Sequence, residues 1–139
     1  MEKISIEQVQ GEVRRFWNTF TDKSASGLME FYGPDSTVFS SVSSRSEPGR
    51  LAAARREREY FHPKSTLRVH VAAIDVVLLG DESAVASYNF QFYASKVGGV
   101  ANGNSEEDIK QGRATHVFRQ DIDGKLRLVH EHLSSVEKG

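Results

Sequence analysis

The chain has 139 residues, 38% hydrophobic and 27% charged, with 18 Lys and Arg against 19 Asp and Glu for a formal net charge of −1, and no cysteine. That near-balance argues against a nucleic-acid binder, which carries a basic excess, and the lack of cysteine excludes a disulfide framework, a thiolate metal site and a cysteine nucleophile. No apolar run approaches the roughly 20 residues of a membrane span, and the polar start MEKISIEQVQGEV has no secretory h-region. The expectation is one soluble, cytoplasmic domain over residues 1–139, without nucleic-acid or membrane partners.

Ile6, Val9, Val13, Phe16, Trp17 and Phe20 recur at three- and four-residue spacing, the stripe of an amphipathic helix. Ser5 precedes it and suits the N-cap, where its oxygen accepts an amide hydrogen of the first turn. Thr21 to Ser24 breaks the period. A short helix follows from about Ala25 to Phe31, presenting Leu28, Met29, Phe31 and Tyr32. Gly33-Pro34 ends it, because proline lacks an N–H and disfavours a helical residue before it. Thr37-Val38-Phe39 reads as a first strand, and the serine-rich Ser40 to Ser46 as a mobile loop. A third helix starts near Pro48 and runs through LAAARREREYF. Its expected inner side is Leu51, Ala54 and Phe61, with Arg55, Arg56, Glu57, Arg58 and Glu59 as paired, solvated charge.

Thr66 to Leu79, rich in Val, Ile and Leu, reads as one long buried strand. Gly80-Asp81-Glu82 turns the chain. Ser83 to Ala94 then alternates, with Ala84, Ala86, Tyr88, Phe90 and Phe92 on the interior face and Ser87, Asn89 and Gln91 on the other. Ser95 to Asp108 is a Gly/Asn-rich connection that matches no phosphate-binding glycine pattern, and no cofactor is expected. Arg113 to Ser135 reads as two antiparallel strands joined at Asp121-Ile122-Asp123-Gly124, since Asp-Gly between alternating apolar runs marks a hairpin. Helices come first, then antiparallel strands with one helix inserted after the first. That order is an α+β fold, helices packed on one face of a curved, mainly antiparallel sheet.

Thr115–Phe118, followed by Asp123-Gly124-Lys125-Leu126 and Val129-His130-Glu131-His132-Leu133-Ser134, resembles the nuclear transport factor 2-like superfamily in sequence and in element order. That group includes ketosteroid isomerase, the SnoaL-like polyketide cyclases and the association domain of calcium/calmodulin-dependent protein kinase II. The His-x-His-x-Ser ending is most similar to the association domain, while Leu126 stands where relatives usually have Trp. The resemblance implies a cone-shaped domain whose sheet wraps the long N-terminal helix and encloses a pocket, and a homodimer formed through the sheet face. The association domain holds a small carboxylate with pocket arginines; the matching positions here are Phe90, His116 and Leu133, which favours a less polar ligand. Ketosteroid isomerase's catalytic aspartate has no assured counterpart. Asp75 lies mid-strand with its side chain unplaced.

Strand parity puts Ala114, His116 and Phe118 on one face and Thr115 and Val117 on the other. On the last strand it separates Val129, Glu131 and Leu133 from Leu126, Leu128, His130, His132 and Ser134. The resemblance implies that the Val129–Glu131–Leu133 set is concave. A one-residue bulge would swap these faces. Glu131, His116 and Tyr88 then become candidate catalytic residues. A glutamate in apolar surroundings has its pKa raised from about 4.3, a nearby His favours the ionised form, and such a pair suits proton abstraction beside a carbonyl, with Tyr88 donating to an oxyanion. Trp17, Phe90, Phe92, Phe118 and Leu133 are the candidate ligand-binding side chains.

His130 and His132 lie about 7 Å apart on one strand face. No carboxylate or cysteine completes a metal set at ligand spacing, so a polar dimer interface with Leu128, Thr115 and Asn89 is the reading, and no metal is expected. Three functions remain open: a homodimer binding a small, largely apolar organic molecule; an isomerase, cyclase or dehydratase using Glu131 with His116; and an association module.

Overall fold

The computed structural model describes residues 2–40, 44–95 and 107–136. Part of the serine-rich loop and most of the Ser95 to Asp108 connection therefore lie outside the described residues. Helices α1 (Ile6–Thr21), α2 (Ala25–Glu30) and α3 (Gly49–Tyr60) pack on a sheet of strands β1 (Tyr32–Phe39), β2 (Glu47–Pro48), β3 (Leu67–Val71), β4 (Asp75–Leu79), β5 (Ser83–Ser95), β6 (Glu107–Gln120) and β7 (Leu126–Ser135). The sheet order is β2-β1-β7-β6-β5-β3, with β4 also paired to β5. Among the described residues, only the β1–β7 pairing is parallel. This is the helix-on-sheet α+β layout expected from the element order.

α1 begins with a reciprocal cap. Ser5 Oγ accepts from the Gln8 amide at 3.1 Å, and Gln8 Oε1 accepts from the Ser5 amide, which satisfies two donors that the first turn leaves over. Val9, Val13, Phe16, Trp17 and Phe20 are buried as the spacing requires. Ile6 departs from that stripe: it is exposed, and Ile4, just ahead of the cap, enters the core instead. α2 stops one residue earlier than expected. Tyr32 opens β1 and is fully buried.

Two bulges reset the sheet's parity. The expected single strand from Thr66 to Leu79 is two strands. Val71 pairs with Phe90 but Asp75 with Ser87, so three residues oppose two. The inward face passes from Leu67 to Ile74, and most of β4 is exposed. Asp75, whose side chain the sequence left unplaced, is exposed. In the last hairpin, Val117 pairs with His130 but Phe118 with Leu128, which leaves Val129 as the extra residue. Leu126 and Leu128 are consequently turned into the core along with Glu131. Leu128 is thus corrected from the outer face to the interior, with 0% exposure.

α3 buries Gly49, Ala52, Ala53 and Arg56, not Leu51 and Ala54. Leu51 is 55% exposed. The small residues let the helix lie close on β1: a Cβ at Gly49 would fall 2.2 Å from Ser36 Oγ and 2.6 Å from Tyr32 Cδ1. Two turns on, that close seat carries Arg56 into the interior.

Candidate functional site

Beneath α3, β1, β6 and β7 converge on one carboxylate. Glu131 is 0% exposed. Its Oε1 accepts from Tyr32 Oη and from Arg56 Nη1, each at 2.7 Å, and its Oε2 meets His116 Nε2 at 2.7 Å. Arg56 Nη1 also donates to Tyr32 Oη. Burial by itself pushes the Glu131 pKa up. The Arg56 charge, the His116 hydrogen bond and Tyr32 together outweigh that, and the carboxyl is held at about 2. An ionised carboxylate only accepts, so His116 Nε2 carries the hydrogen between them. Burial raises the Tyr32 and Tyr88 hydroxyls well above the ordinary tyrosine value, keeping both neutral, and Tyr32 donates to Glu131.

This corrects two expectations. Arg56 is not solvated charge but the buried counter-ion of Glu131, 6% exposed. The Glu131 carboxyl is not raised by its apolar surroundings, because a guanidinium sits against it. Sequence reasoning missed Arg56 and Tyr32. The signal available was the row of small residues at Gly49, Ala52 and Ala53, whose next helical position is Arg56.

His116 is boxed by rings, with Phe16, Tyr88 and Phe118 at centroid distances of 4.9, 5.5 and 5.6 Å. Trp17 Nε1 donates to Tyr88 Oη at 2.6 Å, and Tyr88 Oη stands 3.5 Å from His116 Nε2. A polar chain thus runs from Trp17 through Tyr88 and His116 to Glu131 and Arg56.

In front of this cluster lies a partly open cavity of about 110 Å³. Its apolar wall is Phe16, Trp17, Phe20, Tyr60, Phe90, Phe92 and Leu133; Arg56 stands in the wall, and Ser40, Arg55, Glu59, Gln111, Ser134 and Ser135 supply the polar part. Of the side chains expected to bind a ligand, Trp17, Phe90, Phe92 and Leu133 are in this wall. Phe118 is not: it is 0% exposed, packed behind the cavity against His116. Glu131, His116 and Tyr88 sit one layer behind the wall. Arg55 is paired with Glu47 and Glu59. Among the described residues, Arg56 Nη2 and His116 Nδ1 are buried without a protein partner.

His130 and His132 face away from the cavity. His130 Nδ1 bonds Thr37 Oγ1 at 2.8 Å, and the Phe39 ring lies 5.8 Å from His130 and 6.0 Å from His132. Thr115 pairs with His132 on this outer surface, and Asn89 is exposed on it. Thr37, which lies outside the expected interface set, is thus a hydrogen-bond partner of His130. Among the described residues, no group of three or more His, Asp or Glu is placed to hold a metal, and no helix is long and apolar enough to cross a membrane.

No family model and no curated protein matches the sequence. Solved structures do match in shape. The calcium/calmodulin-dependent protein kinase II hub homology domain of Chlamydomonas reinhardtii superposes with a TM-score of 0.74 at 19% identity, over 96% of this chain and 100% of that one. A nuclear transport factor 2-like protein of unknown function from Pseudomonas putida gives 0.73 at 18%, over 95% and 87%. A ketosteroid isomerase-like protein from Erwinia carotovora atroseptica gives 0.70 at 9%, over 93% and 94%. The chain has the nuclear transport factor 2-like fold.

Proposed function

We propose that this chain binds a small, largely apolar organic molecule in the cavity between α1, α3 and the concave face of the sheet. One observation carries the reading: a cavity of about 110 Å³ has seven aromatic or aliphatic side chains in its wall and stays partly open to solvent. Pockets for small molecules are mostly apolar with a few placed polar groups, and Arg56 is such a group here. Thermal-shift screening of small aromatic and aliphatic compounds tests it, since binding to the folded state raises apparent stability. A raised melting temperature that is lost when Leu133→Trp fills the cavity supports the reading. Hits that persist unchanged in Leu133→Trp would place binding elsewhere and end it.

A second reading, proton transfer of the isomerase, cyclase or dehydratase kind, draws support from the Trp17–Tyr88–His116–Glu131 chain behind the wall. The state of Glu131 weighs against it as the base. A carboxylate with pKa about 2, accepting three hydrogen bonds, has little driving force to take a proton near neutral pH. Glu131→Gln tests the point: a folded variant that loses turnover of a screened ketone restores the enzyme reading.

Homodimerisation through the outer sheet face is supported by Phe39, 43% exposed, which lies over the His130 and His132 rings. Light scattering that finds only monomer removes this part.

A further inference from the structure

We infer that the molecule taken by this cavity carries a small organic ammonium group, seated against the aromatic rings beside Glu59. The inference rests on the pocket reading above and names the chemical class of its ligand.

Six aromatic residues line the cavity: Phe16, Trp17, Phe20, Tyr60, Phe90 and Phe92. Phe20, Tyr60 and Phe92 form one corner of it, with centroids 5.2–5.9 Å apart and planes inclined by 60–79°. The face of an aromatic ring is electron-rich, and rings set steeply to one another turn such faces in more than one direction, as in the cages that hold quaternary ammonium groups. A hydrocarbon gains only burial from this wall. An alkylammonium gains burial of its methyl groups and the attraction of the ring faces as well.

Charge points the same way. Two guanidiniums stand in the wall, and each has a carboxylate of its own. Arg56 is held by Glu131, with its Nη2 enclosed by protein. Arg55 bonds Glu47, and the side chains of that pair are only 22% and 16% exposed. Glu59 is the surplus. Among the described residues its one ion pair is with Arg55 at 3.5 Å, the outer limit of a hydrogen bond, and 41% of its side chain is exposed. The wall thus offers an accessible carboxylate that no cation of the protein fully claims. Ser40, Tyr60, Gln111, Ser134 and Ser135 complete the polar part with neutral groups, which bond a ligand or water without selecting its charge. An anion would meet Glu59 and the ring faces, both repulsive. The volume limits size. An apolar cavity of about 150 Å³ accommodates benzene, so about 110 Å³ with an open side suits a head as large as trimethylammonium, with the rest of the molecule reaching toward solvent.

The test uses the intact protein and three probes of nearly equal shape: choline, the alcohol that carries tert-butyl in place of trimethylammonium, and the anion of tert-butylacetic acid. Calorimetry at neutral pH should find choline bound about tenfold or more tighter than either other probe. Glu59→Gln, at an exposed position of α3, should weaken choline about fivefold and leave the alcohol unchanged. Tyr60→Leu keeps an apolar contact but removes a ring face, and should cost choline more than the alcohol. Leu133→Trp, which fills the cavity, should abolish choline binding. The alcohol matching choline in the unmodified protein, or the anion binding tightest, would overturn the ammonium inference and leave the pocket reading intact. Choline affinity untouched by both Glu59→Gln and Tyr60→Leu, or surviving Leu133→Trp, would place the cation elsewhere and overturn it too. No binding by any of the three probes would overturn the inference; a thermal-shift screen that also finds nothing would end the pocket reading with it.

Discussion

Arg56 and Glu131 stand 75 positions apart in sequence and meet at 2.7 Å, Nη1 to Oε1, with side-chain exposures of 8% and 0%. The contact ties α3 to β7 across the interior. It also makes the two residues interdependent. Arg56→Met alone leaves a buried carboxylate without its counter-ion and should cost about 3–5 kcal/mol. Arg56→Met with Glu131→Met replaces the pair by apolar volume and should cost far less than the sum of the single changes. Urea denaturation of the four proteins closes the cycle; additive losses would mean the pair is not coupled.

The same pair sets an acid limit to stability. The folded Glu131 carboxyl titrates at about 2, against 4.5 as the ordinary value. Between those values the unfolded chain binds more protons, so the free energy of unfolding rises with pH. The contribution, on the order of 3 kcal/mol, is complete above the unfolded pKa and fades as pH falls toward 2. Asp123 is also lowered to about 2, chiefly by its hydrogen bond from Arg127, but it is solvent-exposed and salt screens its share. Unfolding midpoints from pH 6 down to 2.5 should fall steeply in the unmodified protein and more gently in Glu131→Gln. Parallel curves would assign the acid limb to other groups.

The fold was legible because periodicity and turn chemistry carry it. The α1 stripe, the Asp123-Gly124 turn and the alternation around Tyr88 each follow from short-range rules, and the hairpin placed His116 directly opposite Glu131. Bulges were not legible. Whether Val129 or a neighbour is the extra residue depends on how Phe118 and Leu128 pack together, and no local pattern in β7 encodes that. Arg56 was hidden for a related reason. Within Arg55-Arg56-Glu57-Arg58-Glu59, the residue that goes inside is chosen by the close seat of Gly49 on β1, a tertiary fact.

Phe90 offers a test of the cavity's shape. Its ring covers Gly112 on the paired strand, and a Cβ there would lie 2.3 Å from Phe90 Cζ. Gly112→Ala must swing the ring away. Phe90 is 5.0 Å from Trp17, centroid to centroid, so the displaced ring moves within the cavity wall. The expected outcome is weaker binding of cavity ligands with a stability loss of about 1–3 kcal/mol. Fluorescence of Trp17, the protein's one tryptophan, should change with it. Unchanged emission together with unchanged affinity would mean that Phe90 does not shape the pocket.

Two helical glycines should respond in opposite directions to the same methyl group. Gly11 is in α1, exposed, with nothing within 4 Å of a built Cβ. Gly11→Ala removes backbone freedom from the unfolded chain at no steric cost, and should stabilise by about 0.5–1 kcal/mol. Gly49 has Ser36 and Tyr32 inside contact distance. Gly49→Ala must lift the start of α3 off β1, costing about 1–3 kcal/mol. Arg56 lies two turns along the same helix and loses its aim at Glu131 when the helix tilts. The acid limb of the pH profile should then flatten in Gly49→Ala and stay unchanged in Gly11→Ala. That difference separates a helix merely weakened from one moved off its partner: if Gly49→Ala lowers stability equally at every pH, α3 frays in place and the close seat on β1 is not what holds Arg56 against Glu131.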